Sequence, residues 1–84
     1  MPSNARVMDK NQPKNIIGHN VRKFRVQKGW SQQLLSDKLE LVPVYIHRDS
    51  ISLLENCKRM VTDFEIAGLA ETLGVSVADL FAVD

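Results

Sequence analysis

Apolar residues in this chain fall at helical spacing. Ile17, Val21 and Phe24 stand at i, i+4 and i+7, which places them on one face of an amphipathic helix. Asn15 is suited to cap its start, Gly29 is suited to its left-handed stop, and Arg22, Lys23 and Lys28 lie mostly off the stripe. A second helix follows with Ser31 as cap. It directs Leu34 or Leu35, Leu39 and Leu41 inward and ends at Pro43, where the chain lacks a backbone donor and Val42 is restricted. A third helix runs from about His47 to Asn56, with Ile51 and Leu54 on its inner face. Thr62 and Glu65 form a capping box that opens a fourth helix. Its stripe is Ile66, Leu69 with Ala70, and Leu73, and Gly74 closes it. Ser76 and Asp79 repeat the device ahead of Leu80 and Phe81. The pattern predicts an all-α fold, a compact bundle of five helices on short connections with no strand.

Composition narrows what such a bundle can do. Eighty-four residues make one domain, one that buries roughly 60–65% of the surface its unfolded chain exposes. Residues 1–14 carry two prolines and no apolar period, and are expected to be a flexible tail ahead of a domain spanning 15–84. Arg6, Lys10 and Lys14 leave open a basic arm that touches phosphates, beside the plainer reading of a solvated tail. The single cysteine excludes an internal disulfide, and two distant histidines offer no zinc spacing. No apolar run approaches 18 residues, so the expectation is a cytoplasmic protein with a reduced thiol at Cys57 and no membrane partner.

Charge adds a direction. The formal net charge is +1, yet all 11 Lys and Arg residues lie in 1–59, giving that part +6, whereas 60–84 hold five acids and no base. A basic N-terminal part suits a polyanion, with the acidic end turned away from it.

The stretch "IHRDSISLLEN", residues 46–56, contains His47-Arg48-Asp49, the triplet of a protein-kinase catalytic loop. The match fails on chemistry. A kinase needs a glycine-rich phosphate loop, a metal-binding Asp-Phe-Gly and an Asn five residues after the Asp, where this chain has Leu54. No catalysis, cofactor or metal is expected.

Taken together, "IGHNVRKFRVQKGWSQQLLSDKL", "ISLLENCKR" and "LAETLGVSVADLF" resemble the Cro/repressor-type (XRE family) helix-turn-helix DNA-binding domain over residues 15–82. The features carrying the resemblance are Gly29-x-Ser31-Gln32, Ile51-Ser52-x-x-Glu55 and Leu73-Gly74-Val75-Ser76. It implies a repressor-like bundle acting as a sequence-specific, double-stranded-DNA-binding transcriptional regulator, commonly a homodimer on inverted half-sites. The third helix, about 47–56, would then enter the major groove.

Within that helix the resemblance implies base-edge readers at Arg48, Asp49, Ser50 and Leu53, and Ser52 shares the outer face. Arg48 is the first choice, because a guanidinium can bond guanine O6 and N7 together; Leu53 can only touch a thymine methyl. Phosphate contacts are expected from Gln32, where a helix start favours an anion, and from Asn56, Lys58 and Arg59. Arg25 and Glu55 each sit on or beside an apolar stripe, and a charge there needs a partner. The resemblance pairs them as a structural ion pair locking the first helix to the third; a local Glu55–Arg59 contact is the alternative. Trp30 is expected as a lid on the core, His19 as an exposed helix residue, His47 at a helix start, and Phe24, Phe64 and Phe81 in packing.

Two features depart from the family pattern. Nine residues separate Leu41 from Ile51, about five more than the usual turn. Such lengthening costs little closure entropy, and the alternation of Val44 and Ile46 around Tyr45 predicts an ordered segment that tucks its apolar groups inward. Cys57 stands where a glycine usually makes the left-handed stop. Either Asn56 takes that conformation or the helix runs on. A different class of function also fits these features, a protein-interaction module of antitoxin or adaptor type on the same fold; exposed Leu53, Asp49 and the low net charge favour it. The acidic, apolar end "VADLFAVD" is the candidate self-association surface.

Overall fold

The computed structural model describes residues 12–83. They form five helices and, among the described residues, no strand: α1 (Gly18–Gln27), α2 (Gln32–Leu39), α3 (Arg48–Glu55), α4 (Asp63–Leu73) and α5 (Val77–Leu80). Residues 1–11, including Arg6 and Lys10 of the candidate arm, and Asp84 lie outside the described residues. The backbone N–H of Lys14 donates to the Cys57 carbonyl at 2.8 Å, so the chain is already tied to the end of α3 at this point.

The helices share one core of Ile17, Val21, Leu35, Leu39, Ile46, Ile51, Leu54, Leu69, Ala70, Leu73 and Leu80. Each fully buried Leu or Ile contributes roughly 1.5–3 kcal/mol, so Ile51 and Leu54 alone hold α3 firmly to the bundle. Trp30 covers the core edge half-buried, with the Lys28 and Lys38 ammonium groups 5.2 and 4.8 Å from its ring. α1 and α3 cross backbone to backbone: a Cβ at Gly18 would collide with the Leu54 carbonyl oxygen.

Several sequence expectations need correction. The regular part of α1 begins at Gly18 and not directly after Asn15; Asn15 still serves the helix start, its Oδ1 accepting from the N–H groups of Ile17 and Gly18 at 3.1 and 2.8 Å. α2 stops at Leu39, four residues before Pro43. Its last turn gives way to turns bonded Leu41 to Lys38 and Val42 to Leu39, which swing Leu41 outward to 83% exposure. Of the Leu34/Leu35 pair, Leu35 is buried and Leu34 lies at the surface. Phe64, expected in packing, is 82% exposed because it sits in the first turn of α4 on the side facing solvent; Phe81 is also largely at the surface. At the end of α3, Cys57 itself adopts the left-handed conformation, with φ 59°. Asn56 does not, and the helix does not run on.

The lengthened turn is ordered. The Val44 N–H donates to the Leu39 carbonyl at 3.0 Å, and the buried Ser36 hydroxyl donates to the Ile46 carbonyl at 2.6 Å. Ile46 enters the core, Val44 is half-buried and Tyr45 points to solvent. Gly68 on α4 makes the space: a Cβ there would collide with Val44 Cγ2.

Candidate nucleic-acid interface

α2 and α3 pack against one another, and α1 packs behind α3. The base of the arrangement is an ion pair. Arg25 Nε and Nη2 donate to Glu55 Oε2 and Oε1 at 2.7 and 3.0 Å. The third guanidinium nitrogen, Nη1, donates to the Trp30 carbonyl at 2.7 Å. Both side chains are almost fully buried, 11% and 2% exposed. Arg59 turns instead to Glu65, two bonds at 3.2 Å each.

With Ile51, Leu54 and Glu55 turned inward, the rest of α3 faces out. His47 caps the helix, its Nδ1 accepting from the Asp49 N–H at 3.2 Å. Arg48 and Asp49 are exposed and contact each other at 3.5 Å. Ser50 and Ser52 are half-buried, and Leu53 is exposed. The five positions thus share the outer side and the leading turn of one eight-residue helix.

The four expected phosphate positions are less alike. The Gln32 amide nitrogen donates to Glu55 Oε1 at 3.1 Å, so that side chain extends the buried pair. The Asn56 amide donates to the Ser52 carbonyl at 2.9 Å, and Arg59 is held by Glu65. Lys58 is exposed and in no ion pair among the described residues. Burial raises the Glu65 carboxyl, but Arg59 and the Thr62 amide and hydroxyl outweigh it and keep the group below its ordinary range. Asp79 is likewise held low, by the Ser76 amide and hydroxyl that it bonds in the second capping box. Among the described residues no three His, Cys, Asp or Glu side chains are placed to hold a metal ion, and no helix is long and apolar enough to cross a membrane.

Comparison with known proteins places this geometry. The family model HTH_3, described as helix-turn-helix, matches residues 21–80. The chain belongs to this XRE-type helix-turn-helix family. A solved structure with the same fold is the crystal structure of a hypothetical transcription factor, NHTF, from Neisseria: TM-score 0.71 and 28% identity, covering 94% of this chain and 85% of that one. No curated protein matches the chain.

As a helix-turn-helix domain, the chain uses polar contacts that its sequence did not announce outright. Asn15 Nδ2 donates to the carbonyls of Leu54 and Arg59 at 3.1 and 2.9 Å, tying the start of the domain to the end of α3. Asn20 Nδ2 donates to the carbonyls of Leu80 and Ala82, both at 2.8 Å, which holds α5 onto α1. The signal for Asn20 was available: it lies three residues after Ile17 on the apolar stripe, and a polar group there needs a partner. The role of Gln32 in the buried pair carries no comparable mark.

Proposed function

We propose that the protein is a cytoplasmic, sequence-specific DNA-binding transcriptional regulator that sets α3 in the major groove. One observation carries the reading: α3 is anchored along one side by Ile51, Leu54 and the Glu55–Arg25 pair, which leaves Arg48 and Asp49 exposed at its leading turn. Family membership and the likeness to a hypothetical transcription factor support it. Eight residues span about 12 Å, the width of the major groove. A base contact by Arg48 requires it to leave Asp49, which costs little because an exposed pair is worth about 0–1 kcal/mol. A bidentate bond to guanine is worth roughly 1–3 kcal/mol of discrimination. Asp49, Ser50, Ser52 and Leu53 complete the reading surface, and Lys58 past the far end meets the backbone, together with Gln32, Asn56 and Arg59. The regulator acts as a homodimer on two half-sites, and the exposed Val77, Phe81 and Val83 at the acidic end form its self-association surface.

Selection of bound DNA from a random pool tests this, followed by a salt titration of the winning and a scrambled sequence. The expected result is one enriched motif, with binding that falls steeply as salt rises because several phosphates are neutralised. Arg48→Ala should erase the sequence preference, and Lys58→Ala should weaken all sequences alike. A folded protein that enriches no motif and binds no duplex at low salt would overturn the reading. That result would favour the second one, a protein-interaction module, which draws its support from Leu53, 48% exposed in the middle of the face.

A further inference from the structure

A cleft opens where the N-terminal segment crosses the end of α3. Its walls include Lys14, Ile16 and His19 on one side and Asn56, Cys57 and Lys58 on the other, and no acidic side chain lines it. Hydrogen bonds to the main chain fix the two walls. The Lys14 N–H donates to the Cys57 carbonyl at 2.8 Å, and the Asn15 side-chain Nδ2 donates to the Arg59 carbonyl at 2.9 Å. These bonds lay Lys14 alongside Lys58, so two ammonium-bearing residues are held on facing segments. Neither they nor His19 takes part in an ion pair among the described residues. Like charges held together without a carboxylate favour an anion between them. His19 adds an imidazole, which offers an N–H donor in either charge state.

The cleft also continues the outward face of α3. Asp49, Leu53 and Asn56 stand at i, i+4 and i+7, on one side of a helix, and Asn56 is where that stripe meets the cleft. With Arg48 in the groove, the cleft lies about 12 Å further along the helix, roughly one groove width away.

We infer that Lys14 and His19, with Lys58, form a pocket for a backbone phosphodiester flanking the bases that α3 reads, with Ile16 and Pro13 against the adjoining sugar. This rests on the DNA-binding reading and adds two contacts from outside the helix pair. Lys14→Gln and His19→Ala, in the full chain and with folding checked by thermal melting, should each weaken binding to selected and random duplex by the same factor. Losing one phosphate contact lowers the slope of log affinity against log salt by about 0.9. The drop in affinity between 50 and 200 mM salt then shrinks by about 3.5-fold for Lys14→Gln. An unchanged slope in Lys14→Gln, or a change of sequence preference instead of uniform weakening, overturns the pocket. Should the wild type bind no DNA at all, titration with inorganic phosphate followed by NMR decides separately. Saturable shifts at Lys14, His19 and Lys58 that vanish in Lys14→Gln keep the anion pocket while the regulator reading falls; their absence removes both.

Discussion

The Arg25–Glu55 pair gives the sharpest test of how this fold is held. Replacing Glu55 by Ala leaves Arg25 Nε and Nη2 without acceptors at a site where the side chain is 11% exposed, with only the Trp30 carbonyl still bonded. Replacing Arg25 by Ala leaves a carboxylate 2% exposed with the Gln32 amide as its remaining partner. Breaking a buried pair from one side costs about 3–5 kcal/mol. A domain of 84 residues has about 4–13 kcal/mol of total stability at 0.05–0.15 kcal/mol per residue, so either change removes about a quarter of it or more. Arg25→Lys should do little better than Ala, because one ammonium cannot span both carboxylate oxygens and the Trp30 carbonyl. The double variant Arg25→Met/Glu55→Leu removes both charges together and should recover most of the loss, since apolar replacement of a buried pair is often neutral or better. Urea unfolding at constant m reads all four values. With the matching singles Arg25→Met and Glu55→Leu the cycle closes, and a coupling energy of about 2–3 kcal/mol is expected for it. Single variants that each cost under about 1 kcal/mol and simply add would refute the reasoning, because the pair would then behave as a solvated one.

Three further changes probe the parts of the chain that depart from the common pattern. Gly68→Ala should destabilise the wild type by about 1 kcal/mol, as overpacking against Val44 exceeds the helix-propensity gain; in a Val44→Ala background, where the Val44 Cγ2 contact is gone, the cost should shrink clearly. Thermal melts of the four proteins read the difference, and an equal cost in both backgrounds would show that Val44 is not what Gly68 accommodates. Cys57→Gly should be more stable than Cys57→Ala by about 1 kcal/mol, opposite to the usual order, because φ at this position is 59°; equal urea midpoints would refute it. Glu65 is held below its ordinary value of 4.5 in the folded protein, so its contribution is fully present above that pH and is lost as pH falls through the folded value. Glu65→Gln should therefore lower stability at neutral pH and flatten the loss on acidification below the ordinary carboxylate value; parallel pH profiles would count against the Arg59 contact.

The helices were readable wherever local chemistry and tertiary need agree. Thr62 with Glu65 and Ser76 with Asp79 cap their helices as the spacing implies, because a capping box is complete within four residues. At Arg25 and Glu55 a charge on an apolar stripe announced the need for a partner, the family resemblance said which, and these two meet. The failures share a cause. Leu41 and Phe64 are apolar and near helical register, yet both sit at a helix end, where the backbone leaves the period that spacing arguments assume. Cys57 shows the same limit, since the chain must turn there to bring Lys14 against its carbonyl, and that need comes from a segment 43 residues away. The link from Gln32 to the buried pair was not readable, because a helix start marks it only as a phosphate donor. Its side chain bends back to Glu55 because the carboxylate there still has acceptor capacity after Arg25.

The lengthened turn bears on function through the way α3 is fastened. Its C-terminal half is fixed by α1: Gly18 lies against the Leu54 carbonyl, Asn15 bonds the same oxygen, and Arg25 grips Glu55. Its N-terminal end depends on the turn, through Ile46 in the core, the Ser36–Ile46 bond and Val44 seated on Gly68. The extra residues are taken up against α4, so the turn can lengthen without loosening the helix pair. The two ends of α3 therefore answer to different parts of the sequence. In the proposed docking, changes in residues 42–46 should tilt Arg48 and Asp49 relative to the groove and so alter which bases are read. The Lys58 end, anchored through α1, should then keep its place. Selection from a random pool should give a shifted motif for such variants with the salt slope unchanged; a changed slope with an unchanged motif would refute this division of roles.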